Sequence, residues 1–140
     1  MKFNKLIPEL SVTDVQKSLQ FYVDTLGFRI DYSRPNEKFY FLSREGSQMM
    51  IEEINYHWQT GELEHPFGRG INFQMEVSDV SVLVERLAEA RIPLFRPPEE
   101  RWYRGEDVEL GQIEFLVQDP DGYLLRFAQD VGERKILAKQ

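Results

Sequence analysis

Four polar side chains interrupt short apolar runs that read as strands: Glu9, Glu52, Asn72 and Arg126. A carboxylate in a partly apolar groove has its pKa raised and can serve as a general base. Several carboxylates or imidazoles together would hold a divalent ion. A guanidinium near Glu52 would instead form a charge pair, and Arg126 is the candidate. Aromatic rings that could stack on a planar or cationic ligand are Phe39, Tyr40, Trp58, Trp102 and Tyr103. His57 and His65 have no i,i+4 or HxH spacing, and there are no cysteines, so thiolate metal sites and disulfides are excluded.

The elements that would position these groups are written twice. Val12-Thr13-Asp14-Val15 returns 65 residues later as Val77-Ser78-Asp79-Val80. Each copy follows an alternating run and precedes a helical pattern, which is the mark of an internal repeat. The first module, about 5–54, reads as a strand over 5–12 and a helix with Thr13 as N-cap and Gln16 completing a capping box. Val15, Leu19, Tyr22 and Leu26 form its apolar stripe, Gly27 suits the left-handed end position, and strands follow near 28–32, 38–43 and 48–54.

The second module, about 70–129, reads as a strand over 70–77 and a helix capped by Ser78 with the stripe Val80, Leu83, Val84 and Leu87. Ile92-Pro93 ends that helix. Strands follow near 94–96, 114–118 and 123–128, with Asp119-Pro120-Asp121-Gly122 as the last turn. Residues 55–69 link the modules. Residues 97–110 read as an inserted loop, and the charged tail after Asp130 as lying outside the core.

At 140 residues the chain is expected to form one domain with a sizeable core. A net charge of −7 without clustered Lys and Arg argues against nucleic acid. No apolar stretch approaches a membrane span or a signal peptide, so a soluble cytoplasmic protein with no membrane partner is expected. An acidic surface could attract a cationic ligand over long range.

Alternation assigns the strand faces. One face is apolar and packs under the helices. The other collects Ile7, Glu9, Met50, Glu52, Asn72, Gln74, Leu124 and Arg126, as either a ligand groove or a solvated sheet face. Alternation with Phe41 favours core for Phe39 and leaves Tyr40 to face the groove. Trp102 draws interest as a large ring inside an inserted loop.

Residues 6–14 (Leu6-Ile7-Pro8-Glu9-Leu10-Ser11-Val12-Thr13-Asp14), with Phe21-Tyr22 and Leu26-Gly27-Phe28, resemble the opening of the vicinal oxygen chelate superfamily. Asp119-Pro120-Asp121-Gly122-Tyr123-Leu124-Leu125-Arg126-Phe127 resembles its close. The nearest likeness is to the glyoxalase/bleomycin resistance branch, over roughly 6–129. The resemblance implies an α+β fold of tandem βαβββ modules, whose curved mixed sheets enclose a cleft. Metal-dependent members resemble one another in carrying His, Glu or Gln at four positions, which here fall on Ile7, Glu52, Asn72 and Arg126. Only Glu52 is a good ligand, and a slip to Glu53 would not rescue the set.

That loss resembles the bleomycin-resistance type and implies no metal and no cofactor. It implies a homodimer that sequesters a bulky cationic or aromatic small molecule, such as a bleomycin-type antibiotic, in clefts between subunits. Pro8 matches a proline associated with exchange of the amino-terminal strand. The resemblance also places an aromatic binding residue near Phe39, and a tryptophan about where Gly111 stands. The expected binding residues are Glu9, Phe39, Tyr40, Glu52, Asn72, Trp102 and Arg126, with no catalytic residue. The alternatives are a superfamily enzyme with an unrecognised metal site or Glu52 as base, and a structural dimer without a ligand.

Overall fold

The computed structural model describes residues 1–136. It is a mixed α+β protein with the duplicated order read from the sequence, strand, helix and three strands in each copy. The chain divides into two compact units. The first holds Met1–Ile71 together with Gln118–Tyr123, and the second holds Asn72–Val117 and the chain from Leu124 onward.

In the first unit, β1 (Glu9–Val12), β2 (Arg29–Arg34), β3 (Phe39–Arg44) and β4 (Ser47–Glu53) form a sheet in the order β1-β4-β3-β2. β1 lies parallel to β4, and β3 runs antiparallel to both β4 and β2. β1 is shorter than the expected 5–12: Leu6 is 85% exposed, and pairing begins where the Pro8 carbonyl accepts the Met50 amide at 2.9 Å. α1 (Val15–Leu19) runs on into a wider helical turn over Gln20–Thr25, and Gly27 at φ +80° ends it in the left-handed conformation. Val15, Tyr22 and Leu26 are buried against the Leu10, Val12 and Ile51 face of the sheet. Burying side chains of this size contributes about 1.5–3 kcal/mol each before the ordering cost.

The second unit repeats the plan with β5 (Asn72–Glu76), α2 (Val80–Glu89), β6 (Arg96–Arg104), β7 (Val108–Gln118) and β8 (Leu124–Lys135), in the order β5-β8-β7-β6. β5 is parallel to β8 and β6 antiparallel to β7. Val80, Leu83 and Leu87 of α2 are buried with Met75, Phe115, Val117, Leu125 and Phe127.

Both helix caps sit one residue later than expected. Asp14 and Asp79 are the N-caps, accepting the amides of Gln16 at 3.0 Å and Ser81 at 2.9 Å. A carboxylate caps as well as a hydroxyl and adds favourable charge at the positive helix end. Thr13 is drawn elsewhere, its hydroxyl donating to Asp121 at 2.6 Å. α2 ends before Ile92-Pro93, at Ala90, where Arg91 takes a left-handed φ of +59°.

The largest departure is residues 97–110. They are no loop: most of them extend β6 and β7 into a long hairpin that turns at Gly105, whose amide bonds the Val108 carbonyl at 2.8 Å. A register irregularity between Arg96 and Glu99 takes up Pro97-Pro98, which cannot donate to a ladder. Exposure of nearly every β6 side chain erases the alternation that marks a strand. The tail after Asp130 is likewise strand as far as Lys135, and residues 137–140 of that tail lie outside the described residues. Among the described residues, no helix is long and apolar enough to cross a membrane.

Candidate functional site

In the second unit, the face of the sheet away from α2 carries a cleft of about 390 Å³, within the range of small-molecule sites. The β6–β7 register puts Arg96 opposite Leu116, Glu99 opposite Glu114, Arg101 opposite Gln112 and Tyr103 opposite Leu110, all on one face. β5 and β8 add Asn72, Leu124 and Arg126. Phe95 and Pro97 complete the apolar part of the wall.

At its centre is Glu114, a buried carboxylate. It accepts Nε of Arg126 at 2.5 Å, Nε2 of Gln112 at 2.8 Å and the hydroxyl of Tyr103, with Nε of Arg101 at 3.5 Å. Arg126 also donates from Nη2 to the Tyr103 hydroxyl at 2.8 Å. Burial alone would raise the Glu114 pKa, but the hydrogen bonds from Arg126, Tyr103 and Gln112 outweigh it and hold the carboxyl below its ordinary value. The Arg126 guanidinium is pushed up in return by Glu114. Burial and the bond to Glu114 raise the Tyr103 phenol, so it stays protonated. Glu114 therefore accepts on both oxygens and is held ionised as the counter-charge of Arg126. It was missed in the sequence because Ile113-Glu114-Phe115-Leu116 reads as an apolar strand. The one available signal was its two-residue spacing from Gln112 and Leu116.

Trp102 faces the other way. It pairs with Gly111, and its ring atoms approach to 2.6 Å the position a Gly111 Cβ would take. Its Nε1 donates to Glu100 at 3.1 Å, and Arg134 lies 4.2 Å from its ring centroid. At Gly111, where the family likeness implies a tryptophan, the space beside the glycine is filled by the Trp102 ring from the neighbouring strand. Tyr103, not Trp102, is the ring of this segment that lines the cleft.

In the first unit, the sheet face away from α1 carries Glu9 and Glu52. Glu52 shares that face with Phe39 through the β3–β4 register, whereas Tyr40 pairs with Ile51 and lies on the helix side. This reverses the groove-facing role expected for Tyr40. Phe39 points to the Glu52 side but is only 2% exposed, because the Arg34 guanidinium covers it at 3.9 Å and Tyr32 packs at 5.9 Å. Burial and the charge of Glu52 raise the Glu9 pKa, against opposing pulls from Arg34 and a hydrogen bond from Trp58. Glu52 accepts the side-chain amide of Asn55, so the charge pair with Arg126 expected from sequence is replaced by the Glu114–Arg126 pair. Glu53 serves α1: it accepts the Val15 amide at 3.1 Å and Lys38 at 3.0 Å.

The four positions that the family likeness equates with metal ligands do not fit a cation. Ile7 has no donor atom, Asn72 offers one neutral oxygen, and the Arg126 guanidinium is engaged with Glu114 and Tyr103. Among the described residues, no group of three or more His, Asp or Glu side chains is close enough to hold a metal ion. His57 and His65 are both exposed in the linking segment.

A further polar cluster belongs to the first unit. Asp119 accepts the Tyr22 hydroxyl at 2.7 Å and the amides of Asp121 and Tyr123, each at 2.9 Å. Asp121 accepts Thr13, and the Tyr123 hydroxyl reaches the Ser11 carbonyl at 2.9 Å. Burial dominates the Asp119 pKa, raising it to about 6. Gly122, at φ +95°, closes the turn with its amide on the Asp119 carbonyl at 2.9 Å. This cluster is structural: its hydrogen bonds tie the turn to Tyr22, Thr13 and Ser11.

Fold, duplication and site define a class, and comparison with known proteins agrees. The chain belongs to the Glyoxalase/Bleomycin resistance protein/Dioxygenase superfamily, whose family model matches residues 6–127. It is similar to lactoylglutathione lyase of Haemophilus influenzae, at 27% identity over 126 residues, covering 86% of this chain and 88% of that protein. Among solved structures it is similar to a superfamily member from Vibrio splendidus 12B01, at 40% identity over 87% of this chain and 95% of that one, with a TM-score of 0.41. It also shares its fold with TioX from Micromonospora sp. ML1, at 20% identity over 92% of this chain and all of that one (100%), with a TM-score of 0.69.

Proposed function

We propose that this chain is a metal-independent small-molecule binding protein that acts by stoichiometric sequestration, with no bond made or broken. The observation that carries this reading is the state of Glu114. The most buried acid of the cleft accepts hydrogen bonds from Arg126, Tyr103 and Gln112 and is held below its ordinary pKa, so it orders the wall and is a poor general base. Around it stand the apolar surfaces of Phe95, Leu116 and Leu124 and the ring of Tyr103, which suit a planar ligand. The cationic character expected from sequence draws support only from Glu9 and Glu52, on the sheet face of the first unit. The homodimer rests on the family likeness, and exchange of its amino-terminal strands rests on Pro8 before β1. Sedimentation at micromolar concentration tests the dimer, and a monomer would remove both.

The likeness to lactoylglutathione lyase favours an enzyme as the second reading. The two separate in one set of measurements on protein purified without chelator. Sequestration requires saturable binding of bleomycin or another small molecule by calorimetry, unchanged by chelator. It also requires metal well below one equivalent by elemental analysis and no lactoylglutathione formed after zinc or nickel is added. Stoichiometric metal, or turnover on metal addition, would overturn it.

A further inference from the structure

The binding reading leaves the ligand's charge open, and any assignment of that charge rests on the same reading. The chain as a whole is acidic, at −7, yet the cleft is lined by three arginines and two glutamates. Internal pairing accounts for most of these. Glu114 is held by Arg126 at 2.5 Å with Arg101 at 3.5 Å, and Glu99 takes Nη2 of Arg101 at 3.0 Å. Arg96 is left over. Among the described residues no carboxylate pairs with it, and its guanidinium carbon lies 5.8 Å from the centroid of the Phe95 ring. Its register opposite Leu116 puts it on the cleft face, and its exposure puts it at the mouth.

We propose that the cleft takes a small molecule with a planar apolar body and one anionic group, a carboxylate or a phosphate, and that Arg96 recognises the anion. The guanidinium fork matches either group with two parallel hydrogen bonds. Arg126 is the lesser candidate, because its charge is already paired with Glu114 at 2.5 Å and its Nη2 donates to Tyr103. A cation fares worse in the same place. It would meet Arg96 at the mouth, and inside it would find Glu114 with both oxygens already accepting. The ligand body then lies along Phe95, Leu116, Leu124 and Tyr103.

Four probes of one shape separate charge from shape: 1-naphthoate, 1-naphthyl phosphate, 1-naphthalenemethanol and 1-naphthylmethylammonium. Each is titrated by calorimetry against the full chain, the Arg96→Gln variant and the Arg86→Gln variant, which removes an exposed arginine on α2. At least one anion should bind about tenfold or more tighter than the ammonium, the scale of one charge-assisted interaction. Arg96→Gln should remove about that factor for the anions and leave the alcohol unchanged, and Arg86→Gln should change neither. Whichever anion binds tighter identifies the group. A tighter ammonium, or an Arg96→Gln effect equal for alcohol and anion, overturns the charge assignment while leaving binding intact. If no probe binds at millimolar concentration, this inference fails, while the binding reading stands or falls on the bleomycin titration.

Discussion

The indole of Trp102 stands where a side chain at Gly111 would be, with Cη2 and Cζ3 both 2.6 Å from the ideal Cβ position. The two residues face each other across the β6–β7 ladder, so the glycine leaves room and the ring fills it. Gly111→Ala should displace the ring from Arg134 and destabilise the fold by about 1–2 kcal/mol. Trp58 is 68% exposed, so in a Trp58→Phe background the emission reports Trp102 alone. A red shift on Gly111→Ala is expected, and an unchanged spectrum would contradict the packing.

Glu114 organises three donors, and Glu114→Gln leaves Arg126 without its counter-charge. Loss of a buried pair costs about 3–5 kcal/mol, and water in the cleft should reduce this to roughly 2 kcal/mol. The pH dependence has a definite sign. The folded Glu114 pKa lies below the ordinary 4.5, so the pair's contribution is complete above that value and is lost as pH falls through the folded one. Urea unfolding at pH 7 and at pH 4 should show the gap between wild type and Glu114→Gln narrowing in acid. A gap that stays constant would mean that the pair is not charged in the folded protein.

Asp119 runs the opposite way. Its folded pKa of about 6 exceeds the ordinary 3.8, so the folded state holds the proton more tightly. Stability from this group is present at low pH and falls as pH rises from about 4 to 6, by about 3 kcal/mol at most. Asp119→Asn keeps an acceptor for the Asp121 and Tyr123 amides and cannot ionise. Stability of this variant relative to wild type should therefore improve by about 2–3 kcal/mol between pH 4 and pH 7. Parallel pH profiles would refute the assignment.

Gly122 and Gly46 both have positive φ, at +95° and +88°, but only one is crowded. A Cβ on Gly122 would lie 2.5 Å from Cβ of Pro66 and 2.6 Å from its Cα, whereas nothing lies within 4 Å at Gly46. Gly46→Ala should cost only the conformational term, about 1–2 kcal/mol. Gly122→Ala should cost at least about 1 kcal/mol more, since backbone has to move. Thermal unfolding of the two variants side by side provides the comparison, and equal losses would show that the turn yields without strain.

The sequence determined the duplicated order of elements, because helix and strand periods are local and Val12-Thr13-Asp14-Val15 recurs as Val77-Ser78-Asp79-Val80. It also determined the unsuitability of Ile7, Asn72 and Arg126 as metal ligands, since donor atoms belong to residue types. It placed Arg126 and Asn72 on the cleft face, because alternation is a property of one strand. Tertiary structure decided what depends on pairing. The register of β3 on β4 turned Phe39 toward Glu52 and Tyr40 away, and that of β6 on β7 turned Trp102 out and Tyr103 in. The partner of Arg126 was likewise beyond the sequence: Glu114 is twelve residues away in the chain and is joined to it only when both strands lie in one sheet. Period-two alternation says which residues share a face of a strand, but only the hydrogen-bond register says which face meets which neighbour.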